Sequence, residues 1–185
     1  MRLISTDIWK RHKPPASVIV IPTNTTVGKH KRAIMGRGLA AQANKLYPML
    51  SGLYGRRISK GTTIDGFTYF RKLGLIMLPV KRHYSDIADI KLIASGMELV
   101  AELMHAMGDA IRRVYVPMLG CGFGGLSYEV VLPIILQHYV KRMVIVIPPN
   151  EVYGDDKHRT TFLPGVKGRK DRRVGMSGEF GDIEI

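Results

Sequence analysis

The sequence predicts an α/β domain in which helices cover both faces of a central mixed sheet. Three observations carry that prediction. Short β-branched runs alternate along the chain with amphipathic stretches at helical spacing. Two of the apolar runs stand only four residues apart and read as a hairpin, which makes the sheet mixed. The chain's 185 residues suit one domain and are enough to bury a sizeable core.

Taken in order, a short first strand is expected at residues 3–6. "VIVI" at 18–21 is continuous and β-branched, as a strand buried on both faces requires. After "MGRG", residues Leu39, Ala40, Ala43, Leu46 and Tyr47 form one apolar helix face, and Pro48 stops it. "FTYF" at 67–70 and "LIML" at 75–78 flank "RKLG" as the hairpin. The longest helix is expected over 87–107, where Ile90, Ile93, Met97, Val100, Met104 and Met107 recur at steps of three and four. Ser85 or Asp86 caps its start and Gly108 ends it. Its methionine stripe reads as core. "VYVPM" at 114–118 and "VIVI" at 144–147 are further buried strands. Between them a helix is expected from Ser127 towards Tyr139, with Pro133 predicting a bend or a late start. The pattern stops after Pro149. The domain is therefore assigned to residues 1–149, and residues 150–185 to a flexible or partner-ordered extension.

Charge is unevenly placed. Residues 29–82 hold twelve Lys or Arg and one acid, Asp65, which accounts for nearly all of the chain's net +13. Residues 151–185 balance seven basic against seven acidic residues. A basic zone this dense favours a polyanionic partner, because neutralised phosphates release counterions. A solvated basic surface would give the same composition. The candidate nucleic-acid contacts are Arg56, Arg57, Lys60 and Arg82. A single cysteine excludes an internal disulfide or a cysteine-rich zinc site. No apolar run approaches the ~20 residues of a membrane span. The start, "MRLISTDIWKRHKPP", has no apolar signal core, so a reducing cytoplasm is expected. No metal and no cofactor is expected.

Two glycine-rich loops follow strands and lead into helices: "NTTVGKHKRAIMGRGLAAQ" at 24–42 and "GCGFGG" at 120–125. Bare amides at a helix N-terminus form an anion site, and ligands of open α/β sheets bind at the carboxyl ends of strands. "GRGLAA" matches G-x-G-x-x-A, but it stands far from its strand. "GKHK" lacks the hydroxyl residue of a P-loop. Tight turns alone would explain one such loop more readily than two.

In these segments the chain resembles the macrodomain superfamily, three-layer α/β/α modules that bind ADP-ribose. "STDIW" is similar to the family's first-strand segment, "VIVIPTN" to its second strand, "MGRGLA" to its first loop and "LGCGFGGL" to its pyrophosphate loop. The resemblance covers residues 1 to about 147 in the family's order. It implies that Asp7, with Ile8, receives the adenine and that Asn24 faces the distal ribose. Gly36, Gly38 and Leu39 would line one side of the ligand, and Gly120, Cys121, Gly122, Phe123 and Gly124 the other. "PVKRHYSD" at 79–86 resembles the branch that removes ADP-ribose from DNA, the antitoxins paired with DNA-modifying toxins. That likeness implies a catalytic role for Lys81. A related eukaryotic hydrolase carries an aspartate in the second loop, where this chain has Gly124. Two departures are Val80, where a threonine is usual, and "KHKRA" at 29–33, an apparent insertion.

Most glycosidases use two carboxylates, and no convincing pair lies near these loops. Lys81 could attack C1″ of the ring-opened ribose if its pKa falls, an effect expected from burial beside Arg82. It could instead stabilise charge on the leaving base, or simply grip phosphate. His83 is a proton shuttle or a surface residue, and Tyr128 stacks on the ligand or packs in the core. Cys121 reads as a small residue beneath a phosphate. The functions implied are an ADP-ribosyl glycohydrolase acting on nucleic acid, a non-catalytic ADP-ribose module, or a phosphatase of ADP-ribose 1″-phosphate. A bacterial or phage source suits all three, and oligomeric state is not legible.

Overall fold

Strands of the central sheet alternate their side chains between two apolar layers along residues 1–149. The computed structural model describes residues 1–149 and 183–184. Its strands are β1 (Arg2–Ser5), β2 (Ser17–Asn24), β3 (Thr68–Phe70), β4 (Leu75–Lys81), β5 (Arg113–Pro117), β6 (Met143–Ile147) and β7 (Ile183–Glu184). They lie in the order β3-β4-β2-β5-β6-β1-β7. The β2, β4, β5, β6 and β1 pairings are parallel, whereas β3 and β7 are antiparallel to their neighbours. The sheet is mixed for the reason the hairpin predicted.

The helices are α1 (Gly38–Leu46), α2 (Leu50–Ser59), α3 (Ile90–Met107) and α4 (Tyr128–Gln137). On one face Val18, Val20, Ile76 and Leu78 pack against Ile93, Met97 and Val100 of α3 and Val131 of α4. On the other, Ile19, Ile21, Leu75 and Met77 pack against Ala40 and Ala43 of α1 and Leu50 and Tyr54 of α2. This is the period of two expected of strands covered on both faces. Each fully buried Ile or Leu contributes about 1.5–3 kcal/mol relative to exposure. Where α3 crosses β4, a Cβ on Gly96 would stand 2.7 Å from Leu78, so glycine sets the helix-to-sheet distance.

Two sequence expectations, the start and the cap of α3, need correction. α3 begins at Ile90, not Ile87, and Asp89 is its cap, accepting from the Lys91 amide at 2.8 Å. Ser85 and Asp86 stay in a turn because the following amides are claimed elsewhere. Ala88 N–H donates to Gly124 O (2.8 Å) and Asp89 N–H to Val80 O (2.7 Å). Ile87 is consequently 74% exposed. The helix α2 was absent from the sequence reading, although Leu50, Leu53, Tyr54 and Ile58 are helically spaced; Gly52, Gly55 and two arginines dilute the pattern. α4 starts directly after Ser127 despite Pro133, so the late start is not found. The extension assigned to 150–185 lies outside the described residues, apart from the two of β7.

Candidate functional site

The carboxyl ends of the parallel strands gather the residues singled out in the sequence. β2 shifts register between Thr23 and Asn24, which sets Asn24 opposite Lys81 on β4. A bulge of this kind re-aims side chains at a strand end. The Asn24 amide is used to shape the first loop: Nδ2 donates to Ile34 O (2.9 Å), and Oδ1 accepts from Thr26 N–H (2.9 Å). Thr25 and Thr26 then fix the segment after β4. Their hydroxyls donate to Arg82 O at 2.9 and 3.3 Å, and Thr26 Oγ1 accepts from the Tyr84 amide at 3.1 Å. No sequence signal marked these threonines, since they act across 56 to 58 residues.

Lys81 stands beneath the second loop. Its Nζ donates to Phe123 O (3.0 Å) and Asp86 O (2.9 Å). Its pKa is lowered, chiefly by burial and also by the Arg37 guanidinium, while the Asp86 carboxylate opposes the shift. Arg82 was the expected cation, but it turns away to pair with Asp65 at 3.4 Å. His83 is exposed, with Nδ1 2.7 Å from Ser85 Oγ and its ring against Tyr84.

The two loops meet through Phe123, which is 61% exposed. Its ring would stand 3.6 Å from a Cβ on Gly38, and the Arg37 guanidinium lies 5.4 Å from its centroid. No side chain caps α1, which begins at Gly38 (φ +55). The glycines divide by cause. At Gly120 (φ +73) a Cβ would crowd Ala88, and at Gly124 it would strike the Gly120 backbone. At Gly36 and Gly122 a Cβ meets nothing within 4 Å, and neither has a positive φ. Among the described glycines, these two alone combine open space at the Cβ position with a φ outside the left-handed region. Cys121 Sγ lies 3.6 Å from the Leu119 and Ser127 carbonyls, and burial with Glu129 nearby pushes its pKa up to about 12. It is a thiol, not a nucleophile, at physiological pH.

Asp7 follows β1 and caps a short turn, accepting from Trp9 N–H at 3.0 Å. β1 lies three strands from β2, or about 14 Å at 4.7–4.9 Å per strand. Ile8 is buried in the core, so its side chain faces the protein, and Leu39 packs on the same layer. Tyr128 packs against the opposite one. Arg56, Arg57 and Lys60 are exposed along α2, with Arg57 5.0 Å from the Phe70 ring centroid.

This architecture is the macrodomain fold. Its solved neighbours include the macrodomain of Thermus aquaticus DarG, at TM-score 0.64 and 21% identity over 80% of this chain and 97% of that one. Thermosipho africanus DarTG in complex with ADP-ribose matches at TM-score 0.59 and 23% identity over 75% of this chain and 39% of that one. The sequence likeness is to DarG-type proteins as well. A Thermosipho africanus DNA ADP-ribosyl transferase–DNA ADP-ribosyl glycohydrolase fusion is 27% identical over 138 residues, 63% of this chain and 35% of the relative. A Mycobacterium tuberculosis DNA ADP-ribosyl glycohydrolase is 28% identical over 103 residues, 52% of this chain and 29% of the relative. The chain thus spans about a third of the length of these curated relatives. No family model matches it. Among the described residues, no helix is long and apolar enough to cross a membrane.

Proposed function

We propose that this chain binds ADP-ribose across its two glycine loops and, through Lys81, hydrolyses the bond joining ADP-ribose to a base of DNA. The observation that carries the reading is the pair Gly36 and Gly122. Both are glycine without a steric or backbone requirement inside the protein. A ligand pressed against both loops supplies that requirement, because only bare backbone lets a pyrophosphate reach the amides. The names of the sequence relatives and the basic stretch at 29–82 favour DNA as the carrier.

In this reading Asp7 holds the adenine end, and the loop amides with the N-terminus of α1 take the pyrophosphate. The distal ribose then lies between Asn24 and Lys81. Two of the tetrahedral directions around Lys81 Nζ are filled by the Phe123 and Asp86 carbonyls. As a neutral amine, Lys81 donates both N–H bonds there and keeps its lone pair for C1″. Its N–C bond forms as the base–C1″ bond breaks, the base leaving with one of the amine's protons; the ring then opens at C1″–O4″, O4″ taking the other proton, to leave an imine. Water then hydrolyses the resulting imine, releasing ADP-ribose and restoring the amine. As an ammonium, Lys81 would instead offer its third N–H to the leaving base. The lowered pKa raises the share of Lys81 present as the amine, and the pH dependence of release separates the two forms.

Release of free ADP-ribose from a modified oligonucleotide tests the reading. Lys81→Ala is expected to abolish release while calorimetric binding of ADP-ribose persists. Lys81→Arg is dead in the nucleophile mechanism, since guanidinium stays protonated, and partly active if only charge matters. Cyanoborohydride trapping adds mass to Lys81 only in the first case. An alanine variant as fast as wild type removes both roles.

A further inference from the structure

A second concave surface lies far from the loops, where the α1–α2 corner faces the β3–β4 hairpin. It encloses about 550 Å³, within the range of ligand pockets. β4, seven residues long, separates it from Lys81, a distance of about 20 Å at 3.3 Å per residue.

The walls combine two chemistries. Leu46 and Met49 are large apolar side chains left 56% and 69% exposed, and Tyr47 lies between them in the chain. Facing them are Arg57, Arg71 and Lys72, and no acid lines the groove. Cations alone would suit any anion, and exposed apolar groups alone any hydrophobic partner. Together they suit a ligand that carries flat apolar groups and phosphates in alternation. The cations also continue beyond the groove: Arg56 and Lys60 are exposed on α2, and the chain beyond α2 reaches Asp65, which pairs with Arg82 beside Lys81. The exposed cations Arg56, Arg57, Lys60, Arg71 and Lys72, spread over α2 and the hairpin, favour an extended polyanion over a compact acidic peptide. Apolar walls favour unpaired bases, which stack on protein surfaces as paired ones cannot.

We propose that this groove is a second binding site, for single-stranded nucleic acid running from the modified nucleotide along α2. Twenty ångströms corresponds to about six phosphates of a stacked strand at ~3.4 Å each. The direction of the strand towards Lys81 rests on the function proposed above; binding in the groove does not.

Fluorescence anisotropy with an unmodified, labelled single-stranded oligonucleotide tests the site in the full chain. Wild type is expected to bind at low salt, and more tightly than it binds the duplex of the same sequence. Reversing charge in Arg71→Glu with Lys72→Glu should lower affinity at least tenfold. It should also flatten the slope of log K against log salt by about 1.4, from ~0.7 per phosphate contact. Met49→Glu, which leaves every cation in place, should weaken binding as well. Thermal midpoints and calorimetric affinity for ADP-ribose should be unchanged in both variants. Oligonucleotide affinity unmoved by both variants overturns the proposal, as does an acidic peptide displacing the strand from the groove. Oligonucleotide binding that depends on the groove in a protein unable to bind ADP-ribose supports the groove and overturns the function proposed above.

Discussion

The two glycine loops look alike in sequence and are built on different principles. The first, from Asn24 to Gly38, is held by side chains: the Asn24 amide, the Thr25 and Thr26 hydroxyls, and Arg32, which donates to Ser51 Oγ at 2.7 Å. It is braced from outside by α2, where Gly55 lets the helix rest on the backbone of Lys31 and Ala33. The second is held mainly through backbone groups, with Lys81 Nζ donating to Phe123 O from below. Leu126 N–H donates to Gly120 O and Gly125 N–H to Gly122 O, each at 3.0 Å, and Gly124 packs directly on Gly120. Glycine in the second loop is thus mostly a folding requirement, with Gly122 the exception. In the first, Gly36 stands free of any such requirement.

Substitutions separate the two causes, and the largest effect is expected at Gly124. Gly124→Asp drives a side chain into the Gly120 backbone and Ala88, and overpacking with an inserted charge should cost more than about 3 kcal/mol. Gly120→Ala should cost about 2–4 kcal/mol, combining its positive φ with the close Ala88 contact. Urea unfolding measures both. By contrast, Gly122→Val and Gly36→Val should leave stability within about 0.5 kcal/mol and lower ADP-ribose affinity at least tenfold by calorimetry. A midpoint that drops as far as that of Gly120→Ala would return these positions to the structural class.

Smaller effects follow for the side chains of the first loop. Asn24→Ala removes two hydrogen bonds and should cost about 1–3 kcal/mol, with Thr26→Val costing about 1 kcal/mol. The same changes should weaken ADP-ribose binding only as far as the loop loosens, so affinity and midpoint should fall together. The smallest effect is a shift in pH dependence. The folded pKa of Lys81 lies below its ordinary 10.5 because of burial and Arg37. Between those values the folded chain binds fewer protons than the unfolded one, so this group's contribution to stability rises with pH. In the amine mechanism, activity rises through the same lowered pKa, and Arg37→Gln moves the rise to higher pH. A pH–rate profile that falls with pH instead identifies the ammonium as the active form.

Much of this was legible in the chain. Strands β1 to β6, the hairpin, α1, α3 and the position of both loops follow from local periodicity and from glycine and proline placement, whereas β7 does not. α2 escaped because Gly52 and Gly55, which the neighbouring first loop and arginines crowd, interrupt its apolar face. The cap of α3 was misplaced because the Ala88 and Asp89 amides are held by the Gly124 and Val80 carbonyls, bonds that no local pattern encodes. Arg37 replaced Arg82 beside Lys81 for the same reason.

By itself the sequence determined which segments are buried, which are loops, and that Lys81 ends a strand, because burial on both faces of a sheet imposes a pattern within a few residues. Only the tertiary structure decided which glycines serve the backbone and which lie open, which cation depresses the lysine, and that basic and apolar residues from two hairpins of the chain share one groove. Those outcomes depend on distances between atoms that the chain separates by tens of residues, and composition carries no record of them.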